Sequence, residues 1–126
     1  MSTPARSDPR HDLGRLGESL AAEHLERLGY EVLARGYRTR VGELDLIVAD
    51  PRTIVFVEVK TRRLGSGSPW DALDGRKRVQ VRRMAAIWLS TEKDRPSARD
   101  LRFDAVGVVI DARQRLVSLE HLEGAF

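Results

Sequence analysis

Gly42-Glu43-Leu44-Asp45-Leu46-Ile47-Val48 and Ile54-Val55-Phe56-Val57-Glu58-Val59-Lys60 are two strand-like runs joined across Asp50-Pro51-Arg52. Side chains alternate across a strand, so Glu43, Asp45 and Ile47 are expected on one face of the first run. Ile54, Phe56, Glu58 and Lys60 are expected on one face of the second. The opposite faces are almost wholly Leu and Val. Ionised groups within an apolar sheet cost several kcal/mol each unless they are paired or hold a metal, by the usual order of magnitude. Adjacent strands joined by a short turn bring Asp45 and Glu58 together, and two hard oxygen donors at one point suit Mg²⁺ or Mn²⁺.

Around these runs the chain alternates helix and strand signals. Leu13, Leu16, Leu20, Ala21, Leu25 and Leu28 follow helical spacing, with Asp12 as N-cap and Gly29 as stop. Tyr30 to Tyr37 reads as a strand. Leu64-Gly65-Ser66-Gly67-Ser68-Pro69 is a connector, followed by a helix from about Asp74 to about Ser90 whose inward stripe is Val81, Met84, Ala85 and Trp88. Leu101–Ile110 and Leu116–Leu119 read as two more strands. The order is helix, three strands, helix, two strands. A meander followed by a helical crossover implies a mixed α/β sheet flanked by helices.

The 126 residues suit one domain, expected over 12–126 behind a loose polar tail at 1–11. That tail reads as neither a signal peptide nor a membrane anchor, so a cytoplasmic protein with no membrane partner is expected. The absence of cysteine excludes disulfides, thiolate zinc sites and a cysteine nucleophile. His11, His24 and His121 show no ligand-like spacing. Of the 22 basic residues most are Arg, which favours bidentate phosphate contact.

Lys60 shares a face with Glu58 and can orient or deprotonate a water or stabilise phosphorane charge. A Glu-x-Lys pair alone is more commonly a surface ion pair; Asp45 is what raises the alternative. Glu18 has Gly14, Ala21 and Ala22 as helical neighbours, a small and apolar setting from which a third carboxylate can reach over the sheet, although a solvated position at the helix rim fits the same pattern. Glu43 is a ligand, an acceptor behind the ligands, or merely exposed. Asp104 is expected to be structural, paired with a cation. Arg76, Lys77, Arg78, Arg82 and Arg83, together with Arg62, are candidate nucleic-acid contacts, with Lys77 on the inward stripe. Each is also an ordinary solvated position. Trp70 fits base stacking or packing equally well.

Gly14-Arg15-Leu16-Gly17-Glu18, Gly29-Tyr30, Gly42 to Ile47, Phe56 to Arg62, Arg102-Phe103-Asp104 and Ala125-Phe126 resemble the YraN family of small bacterial proteins. The resemblance covers Asp12 to Phe126. It implies a restriction-endonuclease-like αβββαβ core, similar to Holliday-junction resolvases and other PD-(D/E)xK nucleases. On that resemblance Asp45 and Glu58 match the acids of the motif, Lys60 its lysine and Glu18 the helix glutamate of the resolvase-like branch. The motif's proline is replaced by Leu44, and position 36 is Gly where Asn is expected.

The resulting expectation is Mg²⁺- or Mn²⁺-dependent hydrolysis of phosphodiester bonds, in DNA rather than RNA, with branched or single-stranded forms among the candidate substrates. Asp45, Glu58 and the Val59 carbonyl hold the metal, and Glu18 positions a water there. A nucleic-acid-binding or adaptor module that keeps the fold without efficient cleavage is the competing class. A purely structural interaction domain is a third. Homodimerisation is an open expectation, because no self-complementary surface is legible.

Overall fold

The computed structural model describes residues 9–72, 75–98 and 100–126. In chain order the elements are α1 (Pro9–Arg27), β1 (Glu31–Thr39), β2 (Gly42–Ala49), β3 (Thr53–Arg63), a 3₁₀ turn (Pro69–Ala72), α2 (Gly75–Thr91), β4 (Asp100–Ile110) and β5 (Leu116–Leu122). One sheet of order β1-β2-β3-β4-β5 results, antiparallel except between β3 and β4. It is the mixed α/β arrangement that the alternation of signals implied, consistent with a restriction-endonuclease-like core. No described helix is long and apolar enough to cross a membrane.

The helices cover opposite sheet faces. Ala21, Ala22 and Leu25 of α1 pack with Leu46, Val48, Val55, Val57, Val59, Val106 and Val108. Val81, Met84, Ala85 and Trp88 of α2 pack with Leu44, Ile47, Ile54 and Phe56. Period-two alternation in β3 delivers its valines to one helix and Ile54 and Phe56 to the other. In β2 the alternation slips, because Leu44 and Ile47, three residues apart, both face α2. Asp45 therefore does not share Ile47's side, as strict alternation required, and its carboxyl lies beside Glu18 of α1.

The slip coincides with Gly36. Ladder pairs join Arg35 to Leu46 and Tyr37 to Leu44, while Gly36 adopts φ +60° opposite Asp45. Gly and Asn are the residues that take this left-handed conformation most readily, so glycine at a position where asparagine is expected preserves the backbone requirement.

α1 begins at Pro9 rather than at Leu13, so Asp12 lies in its first turn and is not the N-cap. Of the expected tail over 1–11, residues 9–11 belong to α1, while residues 1–8, and Asp74 at the expected start of α2, lie outside the described residues. At the other end of α1 the Tyr30 N–H donates to the Leu25 carbonyl (3.1 Å) and the Gly29 N–H to Glu26 (3.0 Å), with Gly29 at φ +100°. These two bonds form a Schellman cap, which satisfies carbonyls that the ending helix leaves open. Leu28, counted in the apolar stripe, is 55% exposed beyond that cap.

Two contacts fix α1 and the far edge of the sheet. Gly17 lies against Thr61 of β3, and a Cβ added at Gly17 would come within 2.9 Å of the Thr61 Cβ. Asp104, fully buried, accepts two 2.8 Å bonds from Arg102, one of 2.7 Å from His121 and one of 3.0 Å from the Gly124 N–H. Arg102 also donates to the Tyr30 hydroxyl at 2.8 Å, and the rings of His24 and His121 meet through nitrogens 3.1 Å apart. The expected cation partner of Asp104 is Arg102, and these bonds outweigh burial to hold the carboxyl below the usual range.

Gly17→Ala is expected to destabilise the fold. Overpacking against the stiff β-branched Thr61 costs about 1–3 kcal/mol, against a helix-propensity gain of roughly 1 kcal/mol. The double variant Gly17→Ala/Thr61→Ala should recover most of the loss in urea melts. Asp104→Asn should cost about 3–5 kcal/mol, the usual figure for breaking a buried pair. The difference from wild type should shrink as pH falls below the ordinary carboxylate range, because a group with a depressed folded pKa loses its contribution on protonation.

Candidate metal centre

The paired stretch of β2 and β3 runs from Ala49↔Ile54 to Leu46↔Val57 and ends there. Beyond it the two strands part, and an acid stands on each side of the split. The Val59 N–H, on the edge of β3 that β2 has left, donates to Asp45 Oδ2 at 2.7 Å. A carboxylate has thus taken the place of a ladder carbonyl.

Glu58 follows the α2-facing series of Ile54 and Phe56 and is 1% exposed. Its Oε2 meets Lys77 Nζ at 3.0 Å, and its Oε1 has no hydrogen-bond partner among the described residues. Most buried side-chain oxygens are satisfied, so an orphan of this kind calls for a ligand. Glu18, Glu43 and Asp45 each offer a carboxylate oxygen, and these three oxygens lie within 4.8 Å of one another. Glu43 also pairs with Arg38 at 3.2 Å. A cleft of about 490 Å³ joins the whole set: Glu18, Glu43, Asp45, Glu58, Val59, Lys60, Arg62, Lys77 and Gln80 all line it.

Crowded carboxyls resist ionisation. Burial, then the neighbouring charge of Asp45 and a carboxyl–carboxylate hydrogen bond with it, push Glu18 up to about 7. Burial and then Asp45 push Glu58 up to about 7 against the opposing pull of Lys77 and Lys60. Burial also raises Asp45, opposed by the Val59 N–H and Lys77. Three clustered hard oxygens, beside a buried carboxylate oxygen with no partner among the described residues, fit a Mg²⁺ or Mn²⁺ ion.

The sequence profile of the uncharacterised protein family UPF0102 matches residues 17–108. The chain belongs to that family. It is the YraN family that the motifs resembled. A UPF0102 protein of Nocardia farcinica is 46% identical over 123 residues, covering 97% of this chain and 94% of the relative. Others from Moorella thermoacetica (41% identical over 118 residues, covering 93% of this chain and 97% of the relative) and Chlorobium limicola (41% over 124 residues, covering 94% of each) are similar along nearly their whole length. The region matched by the UPF0102 profile contains Glu18, Asp45, Glu58, Lys60, Lys77 and Asp104.

The remaining candidates of this UPF0102 member separate by position. Arg62 lines the cleft, whereas Arg76, Arg78 and Arg83 are exposed along α2. Arg82 stacks over Phe103 at 4.7 Å and donates to the Phe126 carbonyl at 2.9 Å, so it ties the end of the chain to α2. Lys77 turns inward to Glu58. Trp70 packs over Gly107 and donates to Glu120 at 3.3 Å, which makes it a packing residue. The His24–His121 contact was hidden because the two residues lie 97 positions apart.

In chelator-treated protein Glu58→Gln should reveal the cost of the buried charge. Because the folded pKa is raised to about 7 from an ordinary 4.5, the native state binds more protons than the unfolded chain between these values, and the contribution of Glu58 to stability falls as pH rises through them. Melting temperatures of wild type and Glu58→Gln should nearly coincide at pH 4.5. At pH 8 the variant should melt higher by roughly 5–10 °C, corresponding to about 2 kcal/mol.

Proposed function

We propose that this UPF0102 protein is a metal-dependent nuclease that hydrolyses phosphodiester bonds in cytoplasmic DNA, including branched or single-stranded forms. The observation that carries the reading is the buried Glu58 carboxylate, its Oε1 without a partner among the described residues, at the wall of the cleft that Asp45, Glu18 and Lys60 also line. A protein that only bound DNA would gain nothing from carboxylates buried at such cost.

Asp45 and Glu58 supply the carboxylate oxygens for Mg²⁺ or Mn²⁺. The Val59 carbonyl is a further donor, since its N–H already serves the open edge of β3 and in an extended strand a residue's N–H and C=O leave on the same edge. An ion held there would lower the pKa of the attacking water and set positive charge against the phosphate oxygens. Lys60 acts on the same carboxylates through its charge and faces the cleft, where it orients the attacking water. Glu18, whose carboxyl burial and Asp45 push up to about 7, would position that water and could exchange a proton with it. Glu43 and Arg38 close the rim of the acidic group, and Arg62 with the exposed arginines of α2 meets the DNA backbone.

Purified protein should cleave at least one member of a panel of linear, nicked, flapped, single-stranded and four-way DNA in Mg²⁺ or Mn²⁺, and chelation should abolish the activity. Lys60→Ala should lower the rate by about 10²-fold or more. Salt-dependent DNA binding without cleavage in either metal would instead select a binding module that keeps the fold.

A further inference from the structure

Among the described residues the cation that touches Glu58 is not Lys60, two residues along the same strand, but Lys77, which arrives from α2 at 3.0 Å. We infer that Lys77 is a built-in substitute for the divalent ion, a latch that neutralises Glu58 until metal displaces it. The inference deepens the nuclease reading and rests on it.

The geometry sets up a direct competition. Lys77 Nζ sits on Glu58 Oε2, while Oε1 of the same carboxylate has no partner among the described residues. A divalent ion binds carboxylate oxygen at about 2.1 Å, so an ion on Glu58 would lie within roughly 5 Å of the ammonium if the lysine stayed in place. The lysine is the member of the pair able to move. Its side chain is 22% exposed, against 1% for Glu58, and it carries its charge on a flexible four-carbon stem that already lines the cleft. The positive charge of Lys77 also acts on Asp45, so one ammonium partly neutralises both proposed ligands. Once released, it faces the cleft shared with Arg62 and Gln80, where the proposed substrate's phosphates would lie. Lys77 is thus a positioning residue that keeps the carboxylates tolerable without metal.

The test uses Mn²⁺ alone, with no DNA, read by loss of the free-ion paramagnetic resonance signal. Lys77→Met should bind Mn²⁺ at least tenfold more tightly than wild type and melt lower in chelator. Lys77→Arg, which retains a cation, should return to weak binding. A residue that merely supported the fold would not tighten metal binding when removed. If Lys77→Met does not fold, reductive methylation of the wild-type protein followed by mass spectrometry gives the answer. Labelling at Lys77 should accelerate several-fold on adding Mg²⁺ while the exposed Lys93 keeps a constant rate. Mn²⁺ affinity equal to or weaker than wild type in Lys77→Met, or Mg²⁺-independent labelling at Lys77, overturns the latch alone. Mn²⁺ binding by neither protein overturns the metal reading and the latch with it.

Discussion

The parting of β2 from β3 after Leu46↔Val57 is the constraint on which the rest of the site depends. A sheet that stayed paired would keep the Val59 N–H in its ladder and hold Asp45 in a regular strand. Because the strands diverge, the chain has an open main-chain donor at the sheet's centre, and a carboxylate must satisfy it. The divergence also gives Glu18 of α1 and Lys77 of α2, which lie on opposite faces of the sheet, a common opening. Burial, with the charge of Asp45 added to it, raises Glu18 and Glu58 in this gap, and the proposed divalent ion would relieve that tension.

Close helix contact and the network around Asp104 supply the rigidity. Gly17 lets α1 sit directly on Thr61, one residue beyond Lys60, which brings Glu18 over the sheet. On the far side, Asp104 joins Arg102, His121 and Gly124, and through them Tyr30 and His24. Its charge is compensated by a bidentate guanidinium and two further donors, whereas among the described residues that of Glu58 is compensated at one oxygen. This contrast separates a carboxylate that holds structure from one suited to chemistry.

Much of this was legible in the chain itself. Period-two runs carrying Asp45, Glu58 and Lys60 marked two strands with an unusual charge load. Gly29 marked the end of α1, and Val81, Met84, Ala85 and Trp88 marked the buried stripe of α2. What escaped were effects of tertiary geometry on local rules. The left-handed Gly36 breaks the alternation that would have put Asp45 with Ile47, and no pattern in β2 announces it. The first turn of α1 carries no apolar periodicity, so residues 9–11 read as tail and Asp12 as the cap. Lys77 was visible as inward-pointing, but its partner was not, since the pairing of α2 with β3 is set by packing. His24 and His121 meet only because α1 and β5 converge on Asp104.

The parallel pairing of β3 with β4 extends from Thr53↔Asp100 to Arg63↔Ile110, well past the point where β2 has departed. The segment bearing Glu58 and Lys60 therefore has β4 as its lasting lateral support, and β4 is synthesised only after the connector and α2. A chain emerging from the ribosome must reach Ile110 before that segment can acquire its full neighbour in β4. Until then the β4-facing edge of β3 stands open to association with other chains, and Lys60, Arg62 and Arg63 place charge at the end of β3 that β2 does not cover.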